Sequence, residues 1–93
     1  MTTEDSTARP SARPEVLAVP LHDELILHDE RSGQTYVLNS TGAQAWKLCD
    51  GARSMATIVR TIASHYRIRE ENAREDVQEL IDGLDCADLL EYR

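Results

Sequence analysis

The 93-residue chain reads as an α+β domain, a three-stranded antiparallel sheet followed by three helices. Three observations predict this. Short β-prone runs separated by turn residues fill the stretch before Ser40. Met55, Ile58, Val59, Ile62 and Ala63 then recur at i, i+3, i+4, i+7 and i+8, the period of a helix buried on one side. A longer helical pattern follows from about Glu70 to Ala87, with Ala73, Val77, Leu80, Ile81 and Leu84 on its apolar face.

The elements follow in order. Residues 1–14, MTTEDSTARPSARP, hold no apolar run and offer too little surface to offset the entropy of ordering. They predict a disordered tail and leave residues 15–93 as the domain. Glu15–Val19 is a short β-prone run stopped by Pro20, and Glu24–Glu30 is a second. In the second, Leu25 and Leu27 share one face and Ile26 takes the other. ERSG supplies a turn, with Gly33 suited to a positive φ. Gln34–Asn39 is the returning strand. Thr41 with Gln44 three positions on fits a capping box, and Ala45, Trp46 and Cys49 follow at helical spacing until Asp50-Gly51 ends a short helix. Ser54 caps the second helix. Leu89–Tyr92 ends the chain as a short strand or wing. Strands, three helices with a tight turn between the first two, and a wing together suggest a winged helix-turn-helix-like domain.

Composition narrows the function. Phe is absent and Trp46 is the sole Trp, so aliphatic side chains supply the core. About eighty residues build one modest core, not a deep enzymatic cleft. The tail's two acids and two arginines cancel, so the net charge of −7 falls on the body. Such a surface repels phosphate and argues against nucleic acid and anionic membrane as partners. A DNA-binding winged-helix transcription regulator is the alternative reading, but its third helix should be basic. Between Glu70 and Asp88 this chain has eight acids and one Arg. No secretory signal or bilayer-spanning run is visible, which suggests a cytoplasmic protein. There Cys49 and Cys86, far apart and outside any CxxC pair, read as small buried apolar residues, with a disulfide or metal role as the alternative.

Candidate chemistry is sparse. Glu75, Asp76, Glu79 and Asp82 lie on adjacent faces of the third helix, which makes them a solvated face or a contact surface unless a pocket holds them. His22 and His28 flank the second strand at about 20 Å, too far to chelate together; His65 ends the second helix. No catalytic triad, phosphate loop or dinucleotide fingerprint is present. The reading is a non-enzyme with no cofactor and no metal. Recognition remains: the strand GQTYVLN is the last before the chain turns into helix, and an open outer edge there would pair with an extended peptide. A short or protected edge would not.

Asp29-x-x-x-Gly33-x-x-Tyr36-x-Leu38-Asn39, then Thr41-Gly42-Ala43, Trp46, Leu48-Cys49-Asp50-Gly51, Ile58-Val59 and Asp76-Val77 leading to Leu80, Leu84 and Leu89-Leu90, resembles the PqqD-like family from about Val16 to Leu90. Members are small winged-helix-like, non-catalytic recognition elements for the precursors of ribosomally synthesised, post-translationally modified peptides (RiPPs). The resemblance implies a carrier. A precursor leader adds as a strand beside the third strand, lies against the third helix, and is presented to a leader peptidase or other maturation enzyme. Carried over, the pairing strand is Gln34, Thr35, Tyr36, Val37 and Leu38, and the opposite wall is Asp76, Glu79, Leu80 and Gly83. Gly83 costs up to about 1 kcal/mol inside a helix; it either leaves room for a leader side chain or allows close packing against another helix. Members serving pyrroloquinoline quinone biosynthesis tend to carry a Leu-Ala-Pro-Glu-like segment before the first helix. Here that place reads ILHDERSGQTYVLN, which looks more like stand-alone lasso-peptide recognition proteins.

Overall fold

The computed structural model describes residues 8–92. The elements are β1 (Pro10–Ala12), β2 (Val16–Leu21), β3 (Glu24–Asp29), β4 (Thr35–Leu38), α1 (Ser40–Leu48), α2 (Met55–Tyr66), α3 (Glu70–Cys86) and β5 (Leu90–Tyr92). β2, β3 and β4 form the expected antiparallel meander, in that order. β1 and β5 make a separate two-stranded ribbon.

That ribbon corrects the expected tail. Pro10–Ala12 pair with Leu90–Tyr92, and Ser11 is buried. The amide of Ala12 donates to the Cys49 carbonyl at 3.0 Å, and the amide of Gly51 to the Pro10 carbonyl at 2.9 Å. Composition hid this because the segment brings no hydrophobic run. It is held by backbone bonds to the link after α1 and to the last strand. Residues 1–7 of the expected tail lie outside the described residues.

The middle strand fixes the sheet. Leu25, Leu27 and Asp29 are buried, while Ile26 and His28 are only half-buried. β2 continues through Pro20 to Leu21 rather than stopping there. The reason lies in the register. Glu30 N donates to the Glu15 carbonyl at 3.1 Å, so even-numbered residues of β3 bond to β2. Pro20 lies opposite Leu25, an odd-numbered residue, and its missing N–H therefore faces away from the ladder. A two-residue turn, with His22 at φ 57°, joins the strands.

The helices close over this face. Asn39, not Thr41, caps α1: its side chain accepts from the Gly42 amide at 2.9 Å. Ser54 caps α2 as expected, accepting from the Thr57 amide at 3.2 Å. Met55, Ile58, Val59, Ile62 and Ala63 are all buried, as are Ala45, Trp46 and Cys49. From α3, Ala73, Val77, Ile81 and Leu84 enter the core with Leu27 and Leu89, but Leu80 stays half-exposed at its margin. Cys86 is exposed rather than buried, because it falls off that stripe in the last turn.

An ionic clasp ties three segments together. The Arg31 guanidinium makes a two-pronged contact with buried Asp29, at 3.0 and 2.9 Å, and donates to the Asp88 carbonyl at 2.6 Å. Arg13 donates to the same carbonyl at 3.0 Å and to the Asp88 carboxylate at 2.8 Å. The hydrogen bonds from Arg31 hold the Asp29 carboxyl below the usual carboxylate value, against the opposing effect of burial.

A depressed folded-state value means that the charged form stabilises the fold. That contribution is complete above the ordinary Asp value of about 4 and is lost as pH falls through the lowered one. Asp29→Asn is expected to be less stable at neutral pH yet to lose less on acidification below about pH 4. Thermal melts across that range check this; parallel curves for the two proteins would refute it.

Candidate functional site

The alternation that orients Pro20 also orients β4. Asp29 N donates to the Gln34 carbonyl at 2.9 Å, so odd-numbered residues of β3 bond to β4. Leu27 lies opposite Tyr36 and Leu25 opposite Leu38. Tyr36 and Leu38 therefore turn their backbone groups inward, to β3. Thr35 and Val37 turn theirs outward, and among the described residues no strand pairs with that side. Two N–H and two C=O groups stand in a row along an open edge.

Side chains alternate in the perpendicular sense. Thr35 and Val37 are exposed; Tyr36 and Leu38 are half-buried and pack against the core. α3 runs past the open edge, and two hollows lie between. One, of about 340 Å³, is bordered by Tyr36, Val37 and Leu38 on the strand side and by Glu79, Leu80, Gly83, Leu84, Ala87 and Leu89 on the other. The second, of about 430 Å³, lies between the start of α1 (Asn39, Thr41, Gly42, Ala45) and Asp76, Val77, Glu79 and Leu80 of α3. Glu79 and Leu80 border both, so the hollows form one groove with Leu80 as a partition.

Two glycines shape it in opposite ways. At Gly42 a Cβ would come within 3.2 Å of Leu38 Cβ and 3.5 Å of Leu80 Cδ1. Its absence lets α1 start tight against the end of β4. At Gly83 a Cβ would meet nothing within 4 Å. Of the two expectations for Gly83, close packing against another helix is thus set aside; the position opens onto the groove.

The groove is acidic at its rim. Asp76 and Glu79 are exposed, their carboxylates make no hydrogen bond or ion pair with other described residues, and no basic side chain lines either hollow. Acids on another face of α3 are engaged instead: Gln78 Nε2 donates to Asp82 at 2.9 Å and the Tyr92 hydroxyl to Asp85 at 2.7 Å. Burial and that bond push the Tyr92 phenol upward.

Of the sequence-derived residues, Tyr36, Val37, Leu38, Asp76, Glu79, Leu80 and Gly83 line the groove. Thr35 supplies edge backbone. Gln34 precedes β4, and its carbonyl is already taken by Asp29. Sequence reasoning missed Asn39, Thr41, Gly42, Ala45, Val77, Leu84, Ala87 and Leu89. Leu84 stood on the recognised apolar stripe; the residues around α1 needed the cap geometry to be placed. The remaining chemistry stays scattered. His28 Nδ1 lies 3.3 Å from Thr35 Oγ1, and His65 packs edge-on to Tyr66. The Cys49 thiol is pushed up to about 12 by burial. Among the described residues no three His, Cys, Asp or Glu side chains gather as a metal site, and no helix is long and apolar enough to cross a membrane.

Residues 24–90 match the family model described as Coenzyme PQQ synthesis protein D (PqqD). The chain belongs to the PqqD family. The matched span holds β3, the open strand β4 and all three helices, and so both walls of the groove in this PqqD family member. No curated protein matches the chain. Two solved structures do. "TbiB1 in Complex with the TbiA(beta) Leader Peptide" is 22% identical, with a TM-score of 0.79 over 87% of this chain and 94% of that one. "Lasso peptide synthetase B1 complexed with the leader peptide" is 27% identical, with a TM-score of 0.75 over 89% of this chain and 98% of that one.

The glycines give a paired prediction. Gly83→Ala is expected to raise stability by up to about 1 kcal/mol, since helix propensity improves and nothing is displaced. Gly42→Ala is expected to lower it by about 1 kcal/mol, since the rigid base of Leu38 must shift. Urea denaturation midpoints for both variants check the signs.

Proposed function

We propose that this PqqD family member is a non-catalytic adaptor in lasso-peptide biosynthesis. It binds the leader of a ribosomally synthesised precursor by strand addition to β4 and presents it to a leader peptidase or other maturation enzyme. The observation that carries the reading is the outward row of Thr35 and Val37 backbone groups facing a groove walled by α3. An extended peptide satisfies such a row with main-chain hydrogen bonds, while the groove receives every second side chain. Two proteins of the same fold hold leader peptides, which supports the same use here. The acidic third helix disfavours the DNA-binding alternative. Chemistry is then left to the partner enzyme, and the working compartment of such an adaptor is the cytoplasm.

The face of the sheet turned away from the helices supports a second contact. Leu17, Val19 and Leu21 of β2 are exposed, Val19 at 53% and Val37 of β4 at 59%. Val19, Ile26 and Val37 form one row across the three strands. A bound leader strand would extend this apolar face, so a maturation enzyme seated there would meet adaptor and leader together.

Fluorescence polarisation tests the reading with a labelled candidate lasso-precursor leader peptide. Val37→Pro removes one edge donor without touching the β3–β4 ladder, and Leu80→Arg fills the partition with charge. Each is expected to weaken binding roughly tenfold with the circular dichroism spectrum retained. Tyr36→Pro strikes the internal ladder and is expected to destabilise the fold instead. Undiminished binding by folded Val37→Pro and Leu80→Arg would refute the groove. Val19→Glu is expected to leave leader affinity unchanged and to slow leader removal by the cognate peptidase; an unchanged rate argues against the apolar face as the docking site.

A further inference from the structure

Resting on the strand-addition reading, the chemistry of the groove goes further and selects a class of peptide. We propose that the bound segment turns two side chains toward α3, two positions apart: one cationic, Lys or Arg, and one large and apolar.

The spacing comes from matching periods. On an added strand, side chains facing α3 recur every second residue, about 7 Å apart. Along α3, the steps from Asp76 to Leu80 and from Leu80 to Leu84 each advance about 6 Å. Neighbouring groove-facing positions of the peptide therefore fall on either side of Leu80, one in each hollow.

The two hollows ask for different chemistry. Beside β4, Tyr36, Leu38, Leu84 and Leu89 make apolar walls, and bare Gly83 leaves the space that a bulky side chain fills. Beside the start of α1, Asp76 borders this hollow alone and Glu79 stands at the edge that the two share; both are exposed and make no ion pair among the described residues. A Lys or Arg stem lies along Leu80 while its head reaches this rim. An acidic residue at the same place meets like charge and is rejected, which supplies selectivity as well as attraction.

Selection of random twelve-residue peptides by messenger-RNA display against the full chain tests the proposal. Enriched peptides are expected to carry Lys or Arg two positions from a large apolar residue. In the tightest of them, replacing that Lys or Arg by Met is expected to weaken binding about three- to tenfold at low salt, with the difference shrinking as salt rises. The double variant Asp76→Asn/Glu79→Gln is expected to bind both peptides alike. Enriched peptides indifferent to charge, or a preference that survives the double variant, overturn the two-hollow assignment; strand addition stands if Val37→Pro still weakens them. Enriched peptides that bind Val37→Pro undiminished, or a selection that enriches nothing, overturn both.

Discussion

An antiparallel strand bonds left and right by turns, and β3 is the one strand of the meander with neighbours on both sides. That constraint sets the rest. Its even residues serve β2 and its odd residues serve β4, which fixes the backbone groups that each outer strand keeps and those it offers. The choice cannot drift. A slip of one residue would bring Leu25 and Leu27 out of the core and carry His28 in. Asp29, buried at the end of the same row, allows no such exchange, because its carboxylate is satisfied only where Arg31 meets it.

The groove follows from how the chain leaves β4. Asn39 caps α1 at once, and bare Gly42 lets that helix begin against Leu38. The polypeptide is thereby led away from the edge that it has just built, and α3 passes at a distance that leaves a hollow rather than a contact. Leu80 is the marginal residue of the α3 stripe. Ala73, Val77, Ile81 and Leu84 are spent on the core, while Leu80 keeps part of its surface on the groove.

Much of this was legible in the sequence. Period-two and period-3.6 patterns located three strands and three helices, because those patterns are set by burial on one side. Tyr36 to Leu38 and the α3 residues could be named as opposing walls through the resemblance to the PqqD-like family. What could not be read depends on backbone partners distant in sequence. β1 owes its order to backbone bonds with Cys49, Gly51 and Leu90 and to the single buried ring of Pro10, none of which makes an apolar run in the sequence. Asn39 displaced Thr41 as the cap because the strand ended one residue earlier than the pattern suggested. Whether Tyr36 or Val37 faces outward is a matter of hydrogen-bond parity, which hydrophobic spacing does not record.

The same parity leaves the sheet's two margins unequal. On β2 the outward positions are Val16, Ala18 and Pro20; Val16 N is already given to the Arg13 carbonyl, and Pro20 has no hydrogen to give. Only Ala18 retains a donor there, too little to template another strand. A sheet open on one flank and blunted on the other offers room for one added strand and no more. Stacking copies of this sheet edge to edge into an endless filament needs two complementary flanks, and among the described residues the sheet supplies one.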